Sequence, residues 1–149
     1  MEWFVRWFIR SALVWFGLGI TLGLCMAAHP AWIIYRPAHV HMNLVGFVTM
    51  MIFGVAYHVI PRFTGHQLHS RAIAGWQWWL ANIGLAGMVA GFVLQPHIGA
   101  RGMMVLVAGG TLEAISAYLF VYNIWRTIGP APRPLPQPPL PQRPLPTRS

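Results

Sequence analysis

Of the 149 residues, 56% are hydrophobic and only 8% charged, and the mean hydropathy is +0.55. A water-soluble domain of this size needs far more polar surface, so the solvent of this chain is lipid. The net charge of +8 comes from ten arginines and no lysine, set beside apolar runs or in a tail; that placement fits membrane-end anchoring and excludes nucleic acid as a partner.

Four apolar segments follow one another, each about the twenty residues that cross a bilayer as a helix. The first begins at Trp3 or Ser11 and ends at Ala28. Arg6 and Arg10 before it give it the look of a signal peptide. However, more membrane-length segments follow it, and Gly17, Gly19 and Gly23 suit close helix packing, so a true span is expected. The second runs from Ala38 to Val59, the third from Ala72 to Leu94 and the fourth from Met103 to Trp125. The expected fold is an all-α membrane protein, with a four-helix transmembrane domain over 1–128 and a proline-rich tail over 129–149. The tail, with Pro-Leu-Pro-Gln-Pro-Pro-Leu-Pro, suits an extended polyproline-like strap.

If the four helices alternate, Arg6, Arg10, Arg62, Arg71, Arg126, Arg133, Arg143 and Arg148 share one side, against Arg36 and Arg101 on the other. The positive-inside rule then places both termini, and the tail, in the cytoplasm of a bacterial or archaeal inner membrane.

A single cysteine, Cys25, excludes an intrachain disulfide, a thiolate iron–sulfur cluster and covalent haem attachment. Without aspartate, and with glutamate only at Glu2 and Glu113, paired-carboxylate catalysis and a hard-metal cage are excluded too. Glu113 falls near the middle of the fourth segment. An ionised carboxylate facing lipid there costs at least about 2.5 kcal/mol, so Glu113 is expected to face the interior, protonated or paired with Asn82, Gln77 or an arginine. Its bland role is an interhelical hydrogen bond.

Seven histidines and eight methionines remain as the ligand supply. His29, His39, His41 and His97 fall at the outer end, and His58, His66 and His69 at the inner end. Imidazole inside a bilayer is costly without a partner, which makes His39, His41 and His58 functional candidates. At about 100° per residue, His39 shares a stripe with Asn43, Gly46, Met50 and Gly54. Small and polar residues on one stripe suit a cofactor or a close neighbour. His41 points elsewhere, in line with Val45, Val48, Ile52, Val55 and Val59, a face for lipid or another subunit. His58 lies about 28 Å further along the axis and cannot share a haem with His39. Neutral imidazole is a natural axial haem ligand. The candidate cofactor residues are His39, His41, Asn43 and Gly46, and the candidate metal ligands His39 and His41, with His29, His97 and His58 behind them.

The stretch Tyr35-Arg36-Pro37-Ala38-His39-Val40-His41-Met42-Asn43, continued by Tyr57-His58-Val59-Ile60-Pro61-Arg62-Phe63-Thr64-Gly65, resembles the second helix of the haem–copper oxidase catalytic subunit. The likeness is closest to the C-type oxidase and nitric oxide reductase branch. Trp76-Gln77-Trp78-Trp79-Leu80-Ala81-Asn82 is similar to that family's third helix, and Phe120-Val121-Tyr122-Asn123-Ile124-Trp125-Arg126-Thr127 to the end of its fourth. The resemblance covers about Ser11–Ile128 and implies that His39 is a low-spin haem ligand. Catalytic subunits of that family have twelve helices in three arcs of four, with the high-spin haem and copper ligands on later helices. A four-helix chain is therefore not expected to form the binuclear centre alone. His41 and Glu113 depart from the family pattern.

The resemblance implies a b-type haem protein in respiration, for electron transfer or O2/NO binding. Any enzymatic role would be oxidoreductase chemistry of the cytochrome c oxidase or nitric oxide reductase type, in an oligomer. The expected partners are lipid and either further copies, as a trimer or dimer, or a respiratory complex, with a neighbour giving the second axial ligand. Gly19 with Gly23 and Gly87 with Gly91 offer surfaces for close helix contact within or between chains. The alternative is a haem-free accessory subunit handling copper through His29, His39, His41, Met42, His97, Met103 and Met104.

Overall fold

The computed structural model describes residues 1–129; the proline-rich segment beyond them lies outside the described residues. The described residues form four helices long and apolar enough to cross a membrane, Trp3–Ala28, Pro30–Thr64, Arg71–Ile98 and Ala100–Thr127. The chain is a multi-pass membrane protein. Bulky apolar side chains are exposed along every helix, Leu24 at 68% and Met104 at 70% among them, as lipid-facing surfaces require.

Two boundaries differ from the sequence reading. The second helix starts at Pro30 with a tight 3-10 segment, Pro30–Tyr35, and Pro30 stands at its first position, where the missing N–H costs nothing. The third helix runs on to Ile98, so only Gly99 separates it from the fourth. The φ of +56° at Gly99 is open to glycine at no steric cost. At the opposite end Gly65, at φ +69°, stops the second helix, and Ser70 caps the third by accepting from the Ile73 N–H at 3.2 Å.

The third and fourth helices lie against each other along their whole length because glycines bring their backbones together. A Cβ on Gly84 would meet the Glu113 amide nitrogen at 2.7 Å, one on Gly87 would meet Gly109 Cα at 3.0 Å, and one on Gly91 would collide with Leu106 Cα. The Gly87/Gly91 pair is thus spent inside the chain. So is the other pair, since Gly19 and Gly23 receive the side chains of Asn43 and His39.

The core is concentrated at the end that holds Trp3, the Thr64–Arg71 turn and Thr127. Phe4, Phe8, Phe53 and Tyr57 are buried there, with Phe53 and Phe120 rings 4.3 Å apart. At the other end the first six residues of the second helix bury nothing.

Gly109 and Gly110 give a matched test of the close helix pair. A Cβ on Gly109 would collide with the backbone at Gly87 and Met88, whereas one on Gly110 meets open space. Gly109→Ala is expected to cost about 1–3 kcal/mol, the usual range for overpacking. Gly110→Ala should leave the Tm in detergent unchanged. Equal Tm values for the two variants would contradict this packing.

Candidate functional site

Helical spacing puts His39 beside Asn43 on the second helix, and the glycines of the first helix decide what happens next. The His39 ring rests on Gly23, where an added Cβ would stand 2.9 Å from His39 Cε1. Its Nδ1 lies 2.8 Å from the Gly19 carbonyl oxygen. A carbonyl only accepts, so the proton sits on Nδ1 and the lone pair is on Nε2. Asn43 turns its Nδ2 to the His39 carbonyl at 2.8 Å, and its 3.4 Å approach to His39 Nδ1 places two donors face to face without a bond. Gly46 and Gly54 continue the same side. Gly46 seats Trp15, and Gly54 sits on Phe8 and Ile9, so the His39 stripe packs on the first helix.

Between His41 and Met50 the helix widens into a π-helical stretch, Met42–Thr49, where the Thr49 hydroxyl reaches back five residues to the Leu44 carbonyl at 2.9 Å. A wider turn holds more residues, so positions four apart stay nearly in line, and Ala38, Met42, Gly46, Met50 and Gly54 are all buried. This changes the expected place of His41. Val48, Ile52 and Val55 are exposed as predicted, but His41 is turned to the third helix, its ring 4.7 Å from that of Phe92. The 100° projection fails there because it carries a regular α-helix through a stretch that is not one. His41 Nδ1 donates to the Pro37 carbonyl at 2.8 Å, which leaves its Nε2 lone pair free too.

His58 has the opposite arrangement. Arg62 Nη1 donates at 2.7 Å both to His58 Nδ1 and to its carbonyl, so that ring's lone pair is already used. His97 is helical rather than in a loop, and its Nε2 bonds to the Tyr35 hydroxyl at 2.9 Å. His29 lies against Trp32, with ring centroids 5.5 Å apart. The outer-end set does not converge. Among the described residues no group of three or more His, Cys, Asp or Glu stands close enough to hold a metal ion. The imidazoles stand singly rather than in a cluster.

A second polar cluster, unforeseen from the sequence, lies in the core at the other end. Tyr57 donates to Gln77 Oε1, and Asn123 exchanges two bonds with the Ser70 backbone, donating to its carbonyl at 2.8 Å and accepting from its N–H at 3.0 Å. Thr127 accepts from the His69 N–H at 3.1 Å and donates to the Asn123 carbonyl at 2.7 Å. The turn into the third helix is thereby tied to the end of the fourth. Polar residues within apolar spans, Gln77 and Asn123 above all, were the available signal. Glu113 faces the interior as expected, its Oε2 buried, but of the two expected forms it does not make the pair. Asn82 is occupied by Trp15 Nε1 and the Trp78 carbonyl, and Glu113 Oε2 and Gln77 Nε2 are each buried without a partner among the described residues.

The family model for cytochrome c and quinol oxidase polypeptide I matches residues 32–131 of this chain. The chain belongs to that family. It is similar to cytochrome c oxidase subunit 1 of Rhodobacter capsulatus, at 26% identity over 64% of this chain and 23% of the relative. It is also similar to the Cbb3-type cytochrome c oxidase subunit CcoN1 of Stutzerimonas stutzeri, at 26% identity over 81% of this chain and 32% of the relative. The chain thus spans roughly a quarter to a third of the length of these curated subunit I relatives. The matched region contains His39, His41 and the π-helical stretch.

Asn123→Leu removes the partner of the half-buried Ser70 N–H and one of the two partners of its carbonyl, which also accepts from the Ala74 N–H at 3.4 Å. An unpaired buried polar group costs about 1–3 kcal/mol, and a loss of that size in unfolding free energy is expected. Thermal unfolding in detergent, followed by the helical circular dichroism signal, measures it. An unchanged Tm would show that the amide does not hold the turn.

Proposed function

We propose that the chain is a membrane b-type haem protein, a four-helix unit of the oxidase subunit I body, with His39 Nε2 as an axial ligand to low-spin haem b. The observation that carries this reading is the bond from His39 Nδ1 to the Gly19 carbonyl, in a chain of the subunit I family. Backbone-carbonyl anchoring of one imidazole nitrogen orients the ring and leaves the other nitrogen as the ligand. Haem b with both axial positions filled would pass single electrons, and it would take O2 or NO only where the second position stays open. Asn43 and Gly46 support the ligand from the same stripe, Asn43 through the His39 carbonyl and Gly46 by close contact with Trp15.

The second axial imidazole comes from a neighbouring chain, either another copy or a partner subunit of a respiratory complex. His41 cannot reach the same iron from the same helix, and its free Nε2 is the group this chain offers to such a neighbour. Reduction of O2 or NO is proposed only for an assembly that adds a second metal. The proposed location is a prokaryotic inner membrane with both termini cytoplasmic, an orientation that the eight-to-two arginine split favours.

Haem-loaded protein tests the ligand. His39→Ala is expected to abolish haem binding or convert the spectrum to high-spin, while His58→Ala keeps the sharp low-spin bands. An unaltered low-spin spectrum in His39→Ala would refute the assignment. Topology has its own test in sealed spheroplasts, where Ser149→Cys should escape an impermeant maleimide until the membrane is opened. Labelling before opening would invert the orientation.

A further inference from the structure

Beside the Thr64–Arg71 turn, away from His39, lie two cavities that the haem reading does not use. The first, of about 340 Å³, is lined by Tyr57, His58, Arg62, His66 and Arg71, with Glu2 as its one carboxylate. The second, of about 350 Å³, is a slot among Trp3, Trp76 and Trp79, and it too is lined by Arg71. Arg71 is thus common to a cationic hollow and an aromatic slot on the apolar flank of the bundle.

Each cavity has a structural cause. The slot exists because Gly75 leaves room for the Trp3 indole, whose Cζ2 would stand 2.9 Å from a Cβ there. Trp76 and Trp79 remain 68% and 52% exposed, and neither indole N–H has a protein partner among the described residues. In the hollow, Arg62 spends only Nη1 on His58, and Arg71 Nη2 meets Glu2 Oε1 at 3.1 Å in an exposed pair of small worth. Guanidinium groups with N–H donors left over bind phosphate oxygens in preference to water. Indoles at a membrane–water boundary lay their rings along acyl chains and point N–H groups at polar lipid atoms.

We infer that this juxtaposition is a binding site for one anionic phospholipid, its phosphate held by Arg62 and Arg71 and its acyl chain laid in the Trp3–Trp76–Trp79 slot. Charge complementarity selects the headgroup, and the adjoining slot selects a lipid over a free anion. Arg6 and Arg10, on the first helix outside the hollow, are controls for general attraction to a negative surface.

The test is native mass spectrometry of the full chain released from detergent after incubation with dioleoyl phosphatidylglycerol or dioleoyl phosphatidylcholine. One retained phosphatidylglycerol and at least tenfold less phosphatidylcholine are expected on the unmodified chain. Arg62→Gln and Arg71→Gln should each lower phosphatidylglycerol retention about tenfold, and the Trp76→Ala/Trp79→Ala pair should do likewise. Arg6→Gln and Arg10→Gln should leave it unchanged. Equal retention of the two lipids would overturn the proposal without any variant. So would an equal loss in the Arg6 and Arg10 variants, or displacement of the lipid by millimolar inorganic phosphate, which would assign the hollow to a free anion.

Discussion

Hydrocarbon offers no hydrogen bonds, so every polar group within a span must find its partner in the chain or be left without one. Thr21 and Thr111 return their hydroxyls to carbonyls four residues back, and Thr49 to one five back. Trp15 and Trp78 find Asn82 and Ser11. The same demand settles the chemistry of the histidines. The Gly19 carbonyl takes the His39 proton and frees Nε2, whereas Arg62 takes the His58 lone pair and removes that ring from the ligand supply. The three histidines of the second helix therefore differ through their partners and not through their depth alone.

The two ends of the bundle are packed differently. Where the core lies, edge-on aromatic contacts such as Phe4–Tyr57, with centroids 5.6 Å apart, and the Asn123–Ser70 bonds join all four helices. At the His39 end the contacts are fewer and lean on bare backbone, with Gly19 and Gly23 under the second helix and Gly102 under Gln95. An imidazole anchored on a close pair of helices keeps its direction even near a loosely covered end.

The π-helical stretch connects these ends. Across it His39, Asn43, Gly46 and Gly54 all face the first helix, while His41 is turned to Phe92. Ala38, Met42, Gly46, Met50 and Gly54 are buried along one side of it.

Lipid as solvent, four spans and the choice of His39 and Asn43 as neighbours were legible in the sequence, because hydropathy over twenty residues and spacing within one helix are local properties. The family was legible for the same reason, since Arg36-Pro37-Ala38-His39 and Tyr57 to Gly65 are contiguous motifs. What the sequence could not decide was which glycine served which neighbour. Gly87 and Gly91 read equally well as a surface for another chain, and only the approach of Leu106 and Gly109 assigns them to the interior. Likewise nothing local marks the π stretch, the link of Tyr57 to Gln77, or the use of Arg71 by two cavities. Those depend on groups brought together from different helices, and only the packing of the four spans supplies them.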